Sequence, residues 1–254
     1  MVECFVEKDD DKKRLDQVLV KMNLVESRQK ALSLIMTGNV FIDEKKIYKA
    51  GTPVKVGTKL KVKKEKNIWV SRGGIKLFHA LKLSKINVIN KVCLDIGCST
   101  GGFSDVLLSK NAKKVYGIDV GYGQVDWKIR SNKKFKIFEK TNAKNLSYDF
   151  LKKEIEILVC DVSFISLTKV IIPCTKFLVK NAYIILLIKP QFEIGRELVE
   201  KNGIIKNPEL HRLACKNIKS FFLKTNLFKF KGFARSPILG QKGNTEFFIF
   251  LKKK

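Results

Sequence analysis

The stretch Val92-Cys93-Leu94-Asp95-Ile96-Gly97-Cys98-Ser99-Thr100-Gly101-Gly102-Phe103 decides the fold of most of this chain. Four of its first five residues are apolar, with Asp95 as the exception, which is typical of a buried strand, and a helical pattern follows from Phe103 to Ser109. A glycine-rich turn between a strand and a helix is where an open α/β sheet binds its ligand. The spacing excludes a nicotinamide-dinucleotide fingerprint, because Ser99 stands two residues beyond Gly97, and no lysine follows the last glycine as a P-loop requires.

Outward from this stretch, short apolar runs alternate with helical patterns. The predicted strands are Val92 to Ile96, Lys114 to Ile118, Phe135 to Phe138, Ile157 to Cys160 and Tyr183 to Ile188, with a closing pair at Phe228 to Phe233 and Phe247 to Leu251. Predicted helices include Leu167 to Val179 and Leu210 to Phe222. This alternation predicts the α/β class, with a mostly parallel sheet that is covered by helices on both faces and closed by an antiparallel strand.

The first 62 residues predict a separate small α+β domain. Helical periodicity begins at Arg14 and returns after Ser27, a plausible N-cap, and Gly38 then stops the helix. Two short alternating strands follow, Val40 to Ile42 and Lys59 to Val62. We therefore predict a small domain over residues 1–62, a charged linker over residues 63–70 and a second domain over residues 71–254.

The charge of the chain points to a polyanionic partner. Its 51 basic and 24 acidic residues give a formal net charge of +27, of which residues 63–254 carry +23. Such an excess favours nucleic acid over a membrane surface as the partner. Most of the basic residues are lysines, so a codon bias remains an alternative source of part of this charge.

Targeting and metal signals are weak. The first 13 residues mix acids with lysines and have no apolar core, and the apolar run from Ala182 to Ile188 is too short to span a bilayer. The six cysteines contain no Cys-x-x-Cys pair, and His79 and His211 stand alone. We therefore expect a cytoplasmic protein with reduced cysteines, no membrane association and no metal, and we take a monomer as its expected state.

An acid follows the second strand of the sheet. Asp119 comes about 20 residues after the glycine-rich turn, where a carboxylate can accept hydrogen bonds from two ribose hydroxyls. An acid at this position indicates an adenosine ligand that has no 2′-phosphate. Another α/β protein with a glycine-rich turn is the alternative.

Four charged residues are candidates for catalysis: Lys76, Asp161, Lys189 and Glu246. Asp161 and Lys189 each close an apolar strand, and the ends of parallel strands lie at the same edge as the ligand. A lysine directly after five apolar residues is costly to bury alone, so it requires a carboxylate partner or a lowered pKa. A lysine held beside a ribose hydroxyl could accept its proton. Taken singly, each of the four could equally be a surface charge at the end of a strand.

The turn and Asp119 together resemble the class I S-adenosylmethionine methyltransferases, which have a Rossmann-like fold. The ordered set Lys, Asp, Lys, Glu is similar to the catalytic tetrad of the RrmJ/FtsJ-type RNA 2′-O-ribose methyltransferases. Nearly the whole chain resembles the TlyA family, once called haemolysins. The strings that carry this likeness are Arg14-Leu15-Asp16, Ser27 to Ala31, Trp69 to Leu77, Asp95 to Phe103, Asp119 to Gln124, Cys160 to Ser166 and Leu187 to Glu193.

The resemblance implies roles for individual residues. It implies that S-adenosylmethionine is bound by Asp95, Gly97, Ser99, Thr100, Gly101, Gly102, Phe103, Asp119, Asn142 and Asp161, with Asp119 on the ribose and Asn142 beside the adenine. It implies that Lys76, Asp161, Lys189 and Glu246 are catalytic. It also implies RNA contacts by Arg14, Arg28 and Lys30 of a small S4-type domain, to which we add Arg72.

The implied activity is transfer of a methyl group from S-adenosylmethionine to a cytidine 2′-hydroxyl of ribosomal RNA, in the large subunit and in some members also the small one. Ribosomal RNA or ribosomal subunits are then the partners. Two alternatives stay open at this point. One is a non-catalytic RNA-binding or ribosome-assembly factor that retains a cofactor pocket, and the other is a membrane-lytic protein, as the old family name suggests.

Overall fold

Two units share the chain, residues Met1–Ile68 and Trp69–Lys254. The computed structural model describes residues 2–25, 27–63, 68–148, 151, 154–200, 202–240 and 242–254. The predicted linker, residues 63–70, falls partly on residues 64–67, which lie outside the described residues. Trp69 and Val70 pack against the apolar core of the second unit, so this unit starts two residues before the boundary predicted at residue 71.

The small unit is a four-stranded antiparallel sheet with two helices. Its elements are β1 (Val2–Phe5), α1 (Leu15–Lys21), α2 (Arg28–Met36), β2 (Val40–Ile42), β3 (Lys45–Lys46) and β4 (Lys59–Val62), and the sheet order is β1-β4-β2-β3. Ser27 caps α2 as predicted, because its hydroxyl accepts a hydrogen bond from the backbone N–H of Lys30 at 3.2 Å. Leu15, Leu19, Ile35 and Leu60 are fully buried in its core.

The larger unit is a seven-stranded sheet between two layers of helices. Its strands are β5 (Val92–Ile96), β6 (Lys114–Ile118), β7 (Phe135–Phe138), β8 (Ile155–Cys160), β9 (Leu178–Ile188), β10 (Phe228–Arg235) and β11 (Phe247–Lys253). Its helices are α3 (Arg72–Ser84), α4 (Gly102–Ser109), α5 (Trp127–Arg130), α6 (Leu167–Cys174) and α7 (Pro208–Lys224). One apolar core lies between the sheet and α3, α4 and α5, and the other between the sheet and α6 and α7.

The strand order places several loops at one edge of this sheet. The order is β10-β11-β9-β8-β5-β6-β7, and β5 pairs in parallel with both β6 and β8. The chain therefore leaves β5 at a point where the order of strands reverses, which is the ligand-binding position of an open α/β sheet. Strand β11 runs antiparallel to both β9 and β10. The predicted α/β class, with a mostly parallel sheet, an antiparallel closing strand and a small α+β domain, is confirmed.

One predicted helix is too long. The helix predicted from Leu167 to Val179 ends at Cys174, a 3₁₀ turn spans Thr175–Phe177, and β9 begins at Leu178. Pro173 lies inside this helix and removes one backbone hydrogen bond from its last turn, because proline has no N–H.

Helices α3 and α4 begin against each other. A Cβ atom on Gly102 would lie 2.1 Å from the hydroxyl of Ser71 and 3.0 Å from the backbone N of Gly74. A Cβ on Gly74 would lie 2.3 Å from Cγ of Trp69. These contacts leave no room for larger residues, so the start of the helix that bears Lys76 is fixed against the helix that follows the glycine-rich turn.

Replacing Gly74 with alanine should destabilise the larger unit by about 1–3 kcal/mol, because the indole of Trp69 must move. Gly73 is the matched control, since a Cβ there meets nothing closer than 3.4 Å and alanine favours the helix by about 0.5–1 kcal/mol. Urea unfolding followed by tryptophan fluorescence measures both, because Trp69 and Trp127 lie in this unit. Equal stability of the two variants would contradict this account.

Candidate active site

The turn after β5 is shaped by left-handed backbone and close packing. Gly97 has φ +77°, and a Cβ there would lie 2.7 Å from the backbone oxygen of Asp161. Ser99 and Gly101 also have positive φ, +48° and +94°. Thr100 is exposed, and Gly102 is buried at the start of α4. The turn therefore presents its backbone at the edge of the sheet while it packs against the end of β8.

The carboxylate of Asp119 is held by this turn. One of its oxygens accepts a hydrogen bond from the backbone N–H of Ser99 and the other from that of Gly121, both at 2.7 Å. Each carboxylate oxygen can accept a second hydrogen bond. Asp119 is half-buried, so the remaining acceptor sites are available to a ligand.

Two of the predicted cofactor residues lie beneath the turn. Asp95 is fully buried and accepts a hydrogen bond from the hydroxyl of Ser104 at 2.7 Å. Burial, helped by the negative charge of Asp161, raises the pKa of Asp95 to about 7. The side chain of Phe103 is packed in the core beside Phe248. The side chains of Asp95 and Phe103 are therefore both buried beneath the turn.

Asn142 lies beyond the end of β7. Its side-chain oxygen accepts a hydrogen bond from the backbone N–H of Lys144 at 3.0 Å and so caps a 3₁₀ turn. The adjacent Thr141 donates its backbone N–H to the carbonyl of Asp119 at 2.9 Å. Asn142 is therefore the neighbour of Thr141, whose backbone is hydrogen-bonded to that of Asp119.

The four candidate catalytic residues meet at the same edge. Lys76 Nζ lies 2.7 Å from Glu246 and 3.9 Å from Asp161, and Lys189 Nζ lies 2.6 Å from Asp161. Strand β11 explains the position of Glu246, because an antiparallel strand begins at the edge where its parallel neighbours end. Phe247 pairs with Ile188, so Glu246, which precedes Phe247, and Lys189, which follows Ile188, lie at the same end of these two strands.

These contacts are close ion pairs in a largely buried place. Lys76, Lys189 and Glu246 are 8%, 9% and 3% exposed. The short contacts from Lys189 to Asp161 and from Lys76 to Glu246 do not meet the angles of a hydrogen bond, so their attraction is mainly electrostatic. Two cations and two anions give this cluster a formal charge of zero, which reduces the cost of burying it.

Sequence reasoning missed two further side chains that contact the cluster or its loop. Ser163 accepts a hydrogen bond from Lys189 Nζ at 2.8 Å. Glu193 accepts one from the hydroxyl of Ser166 at 2.6 Å and one from the backbone N–H of Leu167 at 3.0 Å. Both residues lie in strings that the family resemblance already quoted, but no spacing rule links a serine or a glutamate there to a strand end.

The predicted RNA-binding arginines of the small unit share one carboxylate. Asp16 is buried, and it accepts hydrogen bonds from Nε of Arg14 at 3.0 Å and from Nε of Arg28 at 2.8 Å. Lys30 is exposed in the first turn of α2. Arg72, in the larger unit, is exposed and donates to the backbone oxygen of Leu239 at 3.0 Å.

Comparison with known families now adds to this geometry. Residues 69–253 match the FtsJ-like methyltransferase family, and residues 13–60 match the S4 domain. The chain belongs to the FtsJ-like methyltransferase family. The first match contains all four residues of the charged cluster, and the second contains Arg14, Arg28 and Lys30.

Individual relatives cover most of the chain. YqxC of Bacillus subtilis, named as an rRNA methyltransferase, is 41% identical over 241 residues, which are 94% of this chain and 85% of that protein. TlyA of Mycobacterium tuberculosis, named a 16S/23S rRNA (cytidine-2'-O)-methyltransferase, is 37% identical over 94% of this chain and 89% of its own length. A solved structure from Streptococcus thermophilus, described as a hemolysin, is 37% identical, has a TM-score of 0.75 and covers 96% of this chain and 90% of that one.

Two further observations concern membrane spans and metal ligands. Across the part of the chain that the structure describes, no helix is long and apolar enough to cross a membrane. Among the same residues, no group of three or more His, Cys, Asp and Glu side chains is placed to hold a metal ion.

Glu193 should make the stability of the larger unit depend on pH. Burial raises its pKa from 4.5 to about 7, although its two hydrogen bonds oppose the shift. Between about pH 4.5 and pH 7 the unfolded chain ionises this group and the folded chain does not, so the wild type loses stability relative to Glu193→Gln. Below this range the group is protonated in both states, and above it the group is ionised in both.

Urea unfolding of the wild type and Glu193→Gln at several pH values between 4 and 8 measures this difference. The free energy of unfolding of Glu193→Gln, relative to that of the wild type, should increase as the pH rises through this window and should then stay constant. A difference in unfolding free energy that stays constant across the window would contradict the assignment.

Proposed function

We propose that this chain transfers a methyl group from S-adenosylmethionine to a cytidine 2′-hydroxyl of ribosomal RNA. The observation that carries the proposal is the cluster of Lys76, Asp161, Lys189 and Glu246 at the same sheet edge as the glycine-rich turn. The family match and the names of the similar proteins from M. tuberculosis and B. subtilis support the reaction and the substrate.

The residues at this edge fit S-adenosylmethionine, which carries a positively charged sulfur. Asp95, Asp119 and Asp161 surround the turn, and the charges of Asp161 and Asp119 help to raise the pKa of Asp95. One carboxylate oxygen of Asp95 is buried and has no hydrogen-bond partner among the described residues. A cationic ligand would relieve this concentration of negative charge, and Asp119 retains acceptor sites for ribose hydroxyls.

The cluster is suited to removing a proton from a weak nucleophile. S-adenosylmethionine, when bound, supplies a methyl group that a ribose oxygen can attack. Lys189 Nζ, an ammonium in the ion pair, would first release a proton to solvent; the resulting amine would then accept the hydroxyl proton and become an ammonium again, which the carboxylate of Asp161 stabilises at 2.6 Å. Lys76 lies between Glu246 and Asp161 and so helps to hold the carboxylate of Asp161, which both lysines share, in place.

Phe164 gives the site an aromatic surface. Its side chain is 85% exposed although it lies three residues beyond Asp161. Its backbone has φ +63°, and the ring of Phe192 lies 5.1 Å away between centroids. Unstacked bases of RNA pack on exposed aromatic rings, so Phe164 offers a stacking surface to a base drawn out beside the cluster.

The direct test incubates the purified protein with methyl-labelled S-adenosylmethionine and isolated small or large ribosomal subunits, or their free RNA. The RNA is then digested to nucleosides, and mass spectrometry identifies 2′-O-methylcytidine. The proposal predicts that the label appears in 2′-O-methylcytidine. Absence of transfer to every form of ribosomal RNA would overturn it and favour a non-catalytic RNA-binding factor.

Lys189→Ala should lower the rate of methyl transfer at least about 100-fold, because the proton acceptor is lost. Its affinity for S-adenosylmethionine, measured by calorimetry, should stay within about twofold of the wild type. Lys216→Ala, at an exposed position of α7, is the matched control for loss of one positive charge and should keep full activity. Equal loss of binding and activity in Lys189→Ala would instead indicate a structural role for Lys189.

The small unit should contribute phosphate contacts through Arg28. Among the described residues its guanidinium bonds to Asp16 through Nε alone, so both terminal nitrogens keep their hydrogens for a phosphate. Arg28→Ala should reduce the slope of log affinity for RNA against log salt concentration by about 1.

The comparison variant is Lys59→Ala, because the ammonium of Lys59 already lies 2.6 Å from the carboxylate of Glu3. Filter binding of both variants to ribosomal RNA between low and physiological salt measures the slopes. A slope for Arg28→Ala that equals the wild-type slope would exclude the contact.

A further inference from the structure

Lys189 has one directed hydrogen bond at its ammonium group. Its Nζ donates to Ser163 Oγ at 2.8 Å, whereas its shorter contact with Asp161 lacks the angles of a hydrogen bond. Among the described residues, Ser163 is the one hydrogen-bond acceptor of this group. Asp161 therefore supplies most of the attraction, and Ser163 supplies direction.

The loop that carries Ser163 is fixed at both ends. The backbone N–H of Asp161 bonds to the carbonyl of Ile96 at 3.1 Å. At the other end, Glu193 receives hydrogen bonds from Ser166 and Leu167. Because the loop is held by β5 and by the turn after β9, the hydroxyl of Ser163 has a defined position relative to Lys189.

The number of bonds at Nζ makes this position important. Besides its bond to Cε, the nitrogen of a neutral amine has two hydrogens and one lone pair. When one hydrogen bonds to Ser163 and the carboxylate of Asp161 attracts the other, the lone pair is left to face the remaining direction. Without the hydroxyl, the group could turn about the Cε–Nζ bond and direct the lone pair away from the nucleophile.

We propose that Ser163 is a positioning residue that sets the direction in which Lys189 accepts the ribose proton. The inference rests on the proposed function and adds a residue to it. Ser163 is exposed, so a change at this position leaves the core intact. The proton passes from the ribose oxygen to Lys189 Nζ, and Ser163 keeps its own proton throughout.

Ser163→Ala should lower kcat for methyl transfer by about 10- to 100-fold, as expected when a reacting group is misdirected. The KM values for S-adenosylmethionine and RNA should remain within about twofold, because the lone-pair direction matters in the transition state and not for binding. Ser163→Thr keeps the hydroxyl and should recover most of kcat. A purely structural role would change KM or thermal stability together with kcat.

Thr168→Val is the matched control, because it also removes a hydroxyl from this region. The hydroxyl of Thr168 is hydrogen-bonded to Ser166 and not to Lys189. It should leave kcat unchanged. The wild type is assayed first, and its failure to methylate ribosomal RNA would overturn the proposed function and this inference with it. If the wild type is active, a kcat of Ser163→Ala equal to that of the wild type, or no recovery in Ser163→Thr, overturns the inference alone.

Discussion

The carboxylate of Asp161 lies between two ammonium groups, and the geometry of the site depends on it. Lys189 lies 2.6 Å and Lys76 3.9 Å from its two oxygens. Both lysines are largely buried, and without a shared anion they would repel each other and lose their hydration without compensation. Glu246 supplies the second negative charge. The backbone of Asp161 is bonded to Ile96, so the same residue also fixes the cluster to the strand that leads into the glycine-rich turn.

The order of the strands explains why residues so far apart in sequence meet here. Asp161 and Lys189 follow the parallel strands β8 and β9, which are neighbours on one side of β5. Glu246 precedes β11, and its place at this edge requires that β11 run antiparallel and pair directly with β9. Lys76 comes from α3, whose start is fixed against α4 by the close approach of Gly74 and Gly102. A change in strand order would separate the two acids.

Much of this arrangement could be predicted from the sequence, and the exceptions have physical reasons. Strands β5 to β7 were predicted with their observed bounds, because each is a short, mainly apolar segment bounded by polar residues or by glycine, and β5 is buried along its whole length. Strand β1 was missed, since most of its residues are exposed and carry no apolar alternation. The strand-end positions of Asp161 and Lys189 were predictable, but the pairing of each lysine with each acid depends on strand order. Ser163 and Glu193 act through loop geometry, which no periodicity encodes.

The residues in and around the glycine-rich turn have two different positions. Some side chains are buried beneath the turn, and others lie at its surface. Asp95 and Phe103 belong to the string that predicts a cofactor, yet both side chains are buried beneath the turn. Asp119 accepts hydrogen bonds from the backbone N–H groups of Ser99 and Gly121, which fix the orientation of its carboxylate. Burial raises the pKa of Asp95 to about 7, and the negative charges of Asp161 and Asp119 at the same edge add to this shift. Under the proposed function, the negative charge of these carboxylates would favour both a cationic cofactor and the two lysines of the cluster.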